Sequence, residues 1–178
     1  MNKKHLGDSY DLVKRFFYQE LDPIARLYAH PEFVPLEIRD PYTKVTRLPI
    51  LPETGPDGRF GIVLDPDTGV RLPDNTVHRV SRRHVTLQFI VELNTKRHPE
   101  YVICFDQSHH RKHEHSREDQ RKAKMEFLRT HGIPSFYYVS HAPFLFTSHK
   151  SETLRSILDR LISAGIPGCR FEPCEISK

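Results

Sequence analysis

The strongest constraint on the fold lies between residues 101 and 139. Residues 101–106 alternate in strand fashion, with Tyr101, Ile103 and Phe105 on one side and Val102, Cys104 and Asp106 on the other. After a polar link, Ser116-Arg117-Glu118-Asp119 has the form of a capping box, an acid three residues after an N-cap serine. It predicts a helix over 117–131, ended by Gly132, with Ala123, Phe127 and Leu128 facing the core. Gly132-Ile133-Pro134 then leads into an apolar strand at 135–139. Strand, helix and strand joined by short links imply a mixed α/β (α+β) domain, a β-sheet flanked by helices.

The other segments are read in the same way. Asp8 and Ser9 offer cap oxygens for a helix at 9–21 with Leu12, Phe16 and Leu21 as its apolar stripe, and Pro23 starts a second short helix at 24–28. Residues 31–75 are rich in Pro and Gly and predict a β-meander with strands at 34–38, 45–51, 60–64 and 70–72. Residues 80–93 read as a long strand, with Val85, Leu87, Phe89, Val91 and Leu93 on one face and Gln88 and Glu92 on the other. This strand is expected to form an antiparallel hairpin with 101–106, bringing Glu92 beside Asp106. A last helix at 152–164, capped by Ser151 and stopped by Gly165, carries Leu154, Ile157, Leu158, Leu161 and Ile162. The expected division is an N-terminal helical and β-rich elaboration (1–77), an α/β core (78–168) and a short tail (169–178), packed as one unit.

A chain of 178 residues, 37% hydrophobic, can bury one core without metal or disulfide staples. Three cysteines, Cys104, Cys169 and Cys174, and no long apolar segment argue for a reducing, cytoplasmic setting and against a membrane role. The net charge of +4 and pI near 9.0 are only mildly basic, so the placement of the charge matters more than its sum. Two clusters stand out. His78, Arg79, Arg82, Arg83 and His84 lead into the strand expected at 80–93; His109, His110, Arg111, Lys112 and His113 follow the strand at 101–106. Arg117, Arg121 and Lys124, at steps of four and three, are expected to extend the second cluster along one outward helix face. Cations on both sides of one site suit the phosphates of double-stranded DNA. A symmetric homodimer would match a palindromic site, although no coiled coil demands one. His109, His110, His113 and His115 with the cysteines lack the paired spacing of a zinc site.

From Tyr101 to Val139 the chain resembles the branch of the PD-(D/E)XK superfamily that includes the very-short-patch-repair endonucleases. Asp106 falls on the motif's Asp, His110 on its His, Asp119 and Lys122 on the helix's polar pair, and Gly132-Ile133-Pro134 on the entry to the final strand. The resemblance implies a restriction-endonuclease-like core. Gln88 stands where that family has its first metal-binding Asp, Cys104 where it has its Glu, and Gln107 where a Gly usually follows the motif Asp. Hydrolysis by that family needs several carboxylates around Mg²⁺, which prefers oxygen ligands. The resemblance therefore implies a DNA-binding protein with lost catalysis and no cofactor, such as a transcriptional regulator of a plasmid or other mobile element. The alternative is a Mg²⁺-dependent endonuclease using Asp106, Glu92 and Lys122.

Overall fold

The computed structural model describes residues 6–72, 81, 83–108 and 116–173. Helix α1 (Ser9–Leu21) begins where Asp8 accepts the backbone N–H groups of Tyr10 and Asp11. Its bounds match the expectation, but its buried side does not. Asp11, Lys14, Phe17 and Leu21 face inward, whereas Leu12 is 57% exposed. The stripe turns because Lys14 finds carboxylates inside the protein.

The segment expected as a second helix is instead strand β1 (Arg26–Ala29), which pairs in parallel with β2 (Phe60–Leu64). Sheet pairing outweighs local preference here. The expected strands at 34–38 and 45–51 are absent as well. Short 3₁₀ turns at Pro31–Phe33 and Leu36–Ile38 lead into α2 (Arg39–Thr46), which ends on Arg47 in the left-handed region (φ 67°). Pro41 fits this helix because it lies in the first turn, whose N–H groups have no intrahelical acceptor.

The long strand expected at 80–93 is the largest correction. Among its described residues the one strand is His84–Val85 (β4), in parallel with β3 (Gly69–Val70). Thr86 then accepts the N–H of Phe89 and starts α3 (Leu87–Glu92), continued by a π turn over Leu93–Arg97. Leu87, Ile90, Val91 and Asn94 are buried, a helical spacing concealed within the alternating run. Consequently no hairpin joins this segment to β5 (Tyr101–Phe105). β5 lies instead between β2, parallel to it, and β7 (Phe144–Thr147), antiparallel to it.

Helix α4 (Arg117–Thr130) opens with the expected capping box between Ser116 and Asp119. It is followed by β6 (Ser135–Tyr138), β7, α5 (Ser151–Ser163) and β8 (Phe171–Pro173), so the expected tail contains a 3₁₀ turn and a strand. Ser151 is the first residue of α5 rather than its cap, a position held by Lys150 without a side-chain bond.

The result is a mixed α/β architecture. The main sheet has six strands in the order β1-β2-β5-β7-β6-β8, parallel through β5 and antiparallel thereafter. Tyr101, Ile103 and Phe105 pack with α1, α2 and α5 on one face, and Val102 and Cys104 with α3 and α4 on the other, the two-sided pattern expected of β5. Among the described residues no helix is long and apolar enough to cross a membrane.

Gly61 holds the parallel half together. It pairs with Tyr101, whose ring crosses β2 so that its Oη donates to the Ala25 carbonyl at 2.7 Å. A Cβ at position 61 would lie 2.5 Å from that ring. Gly61→Ala is therefore expected to lower the unfolding free energy by about 1–3 kcal/mol in urea titrations, and an unchanged midpoint would refute this packing.

Candidate functional site

The three parallel strands end at one edge of the sheet, and each is followed at once by an ionisable residue: His30 after β1, Asp65 after β2 and Asp106 after β5. In open α/β sheets ligands bind outside the carboxyl ends of the strands. Strand alternation sends the two aspartates to opposite faces. Asp65 continues the side of Val63 and meets α1, whereas Asp106 continues the side of Cys104 and meets α4.

Asp106 is 4% exposed, and both its oxygens are engaged. Oδ1 accepts the backbone N–H groups of Val70 (2.8 Å) and Ser108 (3.2 Å) and lies within hydrogen-bonding reach of Ser108 Oγ. Oδ2 accepts Lys124 Nζ and Tyr137 Oη, each at 2.6 Å. Lys124, 1% exposed, also donates to Ser108 Oγ at 2.9 Å. Burial, then the adjacent Asp106 charge, pushes the Tyr137 phenol well above its ordinary pKa, so it remains a donor. The same two causes raise the Cys104 thiol, which is inert as a thiolate nucleophile or soft-metal ligand.

Across the sheet Lys14 donates to Asp65 (2.6 Å) and Asp11 (2.9 Å), all three side chains being buried. Burial alone would lower the Lys14 pKa, but Asp65 and Asp11 outweigh it and the net shift is upward. Burial also raises the Asp65 carboxyl, against the pull of Lys14. Both shifts follow from one cation buried with two carboxylates. The Tyr42 ring lies 5.7 Å from Lys14 Nζ.

Beside Asp106 the short β3–β4 ladder brings Arg71, Arg83 and His84 together. Arg71 N–H bonds the Val85 carbonyl (2.9 Å), and Thr68 N–H bonds the Arg83 carbonyl (3.0 Å). Thr68 Oγ1 lies 2.8 Å from His84 Nδ1. Partial burial, then the Arg71 and Arg83 charges, lowers the His84 pKa. Arg83 is exposed and Arg71 half-buried, so this is an accessible cationic corner that suits an anion.

The sequence-derived site residues separate into groups. Arg79, Arg82, His109, His110, Arg111 and Lys112 lie outside the described residues, as do His78, His113, His115 and Cys174. Arg83 and Arg117 are exposed, as expected. Lys124 is not on an outward face: it is the buried partner of Asp106, because α4 turns Gln120, Lys124, Met125 and Leu128 inward and leaves Ala123 exposed. Arg121 holds Glu172 of β8 through two bonds of 2.7 Å and lies over the Tyr137 ring, so it fastens the last strand.

The alternative catalytic set is not gathered either. Glu92 sits on α3 rather than on a strand and pairs with Lys96, Gln88 is exposed on the same helix, and Lys122 pairs at the surface with Glu118. Sequence reasoning missed Lys14, Arg71, Ser108 and Tyr137. Only the lysine within the apolar register of α1 offered a signal.

His30 completes this edge. Its ring packs near Phe33 (5.6 Å) and Phe89 (5.5 Å), and burial, then the Arg97 charge, lowers its pKa to about 4. Between pH 6.5 and 4 the unfolded chain therefore binds the extra proton, and folding stability falls as pH falls through that window. His30→Phe is expected to flatten this part of the stability–pH curve, and a curve parallel to wild type would contradict the burial of neutral His30.

Lys124→Met should cost about 3–5 kcal/mol by stranding the Asp106 charge, and Tyr137→Phe about 1.5–3 kcal/mol, both read from denaturant unfolding. Equal, negligible losses would show that Asp106 is not the hub described. Comparison with family models, with curated proteins and with solved structures finds no match to this chain, so its functional reading rests on its own residues.

Proposed function

We propose that this chain is a double-stranded DNA-binding protein, acting as a transcriptional regulator, whose restriction-endonuclease-like core no longer hydrolyses DNA. The observation that carries the reading is the contrast at the end of β5. The Asp106 carboxylate is sealed by Lys124, Tyr137, Ser108 and Val70, while Arg71 and Arg83 present positive charge beside it. An acid whose oxygens are occupied by an ammonium and three neutral partners is a poor Mg²⁺ ligand unless that network is dismantled. Guanidinium groups in an accessible corner suit phosphate oxygens.

Arg117 adds to this side of the molecule. It lies seven residues, about 10 Å of helix, before Lys124, and so stands beyond the end of β5. Val70 and Ser108 are hydrogen bonded to each other, and the His- and Arg-rich sequences begin soon after each of them. Control of a mobile element's genes, and a homodimer reading a palindromic site, extend this proposal.

Fluorescence anisotropy with random-sequence duplexes at two salt concentrations tests it. Binding should weaken steeply with salt, and Arg71→Ala with Arg83→Ala should reduce the logarithmic salt slope by about 2, one per lost phosphate contact. Incubation with supercoiled plasmid and Mg²⁺ should yield no nicks. Salt-independent binding, or cleavage abolished by Asp106→Ala, would overturn the proposal, the latter in favour of the endonuclease.

A further inference from the structure

We propose that Asp106 is a positioning residue for the cationic corner: its carboxylate clamps the β3–β4 ladder to the main sheet and so sets where Arg71, Arg83 and His84 meet a phosphate. The proposal rests on the DNA-binding reading and adds to it the part that shapes the site.

Among the described residues β3 pairs with β4 alone, and neither strand joins the main sheet. Among the described residues, the polar attachment of the ladder to β5 runs through the Val70 N–H on Asp106 Oδ1 and the Ser108 hydroxyl near the Val70 carbonyl. Ser108 Oγ also lies by Asp106 Oδ1, so its single proton serves one acceptor at a time while the oxygen accepts from Lys124. The backbone comes close enough to make these bonds because residue 69 is Gly. A Cβ there would lie 2.3 Å from Asp106 Oδ1, and its φ of +131° disfavours any side chain.

The two oxygens of Asp106 divide the work. Oδ2 is held by α4 and β6 through Lys124 and Tyr137, on the main sheet and the helix packed against it; Oδ1 holds the ladder. From Val70 the chain of contacts is short. Arg71 is the next residue, Arg71 N–H bonds the Val85 carbonyl, and His84 and Arg83 precede Val85. A residue that never contacts the phosphate therefore determines the spacing of the side chains that do.

Asp106→Asn would leave Lys124 buried without its counter-charge and threatens the whole fold. Ser108→Ala is milder, since it removes one hydroxyl from the clamp and leaves the ion pair intact. Thr147→Val is the control. It deletes a buried hydroxyl that accepts from Asn94 at the opposite end of the sheet.

Amide hydrogen exchange at Val70 and Arg71 should accelerate about five-fold more in Ser108→Ala than in Thr147→Val, the factor that one net hydrogen bond commands. Affinity for duplex DNA should fall by a similar factor in Ser108→Ala alone. That loss should vanish when Arg71→Ala and Arg83→Ala are already present. Equal exchange rates in the two variants, or equal losses of affinity, would reduce Asp106 to a structural ion pair and overturn the proposal. If the wild-type chain binds no duplex, the DNA-binding reading fails on its own, and the exchange rates still decide whether Asp106 clamps the ladder.

Discussion

The structure turns on a carboxylate and an ammonium, Asp106 and Lys124, held 2.6 Å apart with almost no access to water. Two charges leave solvent at considerable cost, and such a pair is tolerated only when every remaining lone pair and proton is satisfied. That requirement explains the convergence of three further parts of the chain on one point: Gly69-Val70, Ser108 and Tyr137. It also sets the rotation of α4. With Lys124 facing inward, Lys122 faces water, and Arg121 reaches sideways to Glu172 and fastens the last strand of the sheet.

The opposite face carries a counterpart with different arithmetic. Lys14 serves two carboxylates beneath α1, Asp11 and Asp65, and burial raises the Asp65 carboxyl. Adjacent parallel strands thus each end in an aspartate pinned by a lysine from a different helical layer. The strand ends that in other α/β proteins receive ligands are here largely filled by the protein's own cations. The accessible charge has shifted to the neighbouring ladder at Arg71 and Arg83. This displacement is the physical basis for reading the corner as a binding surface rather than a reaction centre.

Much of the framework was legible without coordinates. Helix α1, strands β2 and β5, the capping box of α4, the Gly-Ile-Pro link and the body of α5 all carried local signals that matched what formed. The errors share a cause. Residues 85–93 hold apolar side chains at both two-residue and helical spacing, and the Thr86 cap, a single hydroxyl, decided for the helix. β1 is a strand because β2 lies beside it, and 3₁₀ turns and α2 occupy 31–46, where Pro35 caps a turn and Pro41 sits in the first turn of α2. Within the site, Asp106 was legible as an acid closing a strand. Its partner was not, because Lys124, at helical spacing from Arg117 and Arg121, reads as part of one solvent-facing basic face.

By itself the sequence determined where most helices begin and end and which faces of β5 point apart, since caps, glycines and alternation act between residues a few positions away. It also placed an aspartate at the end of the central strand and basic residues on both sides of it. Only the tertiary structure decided which charges are buried and which remain available. A lysine can enter a protein interior only if a carboxylate from a distant segment is waiting there, and no local pattern records that meeting.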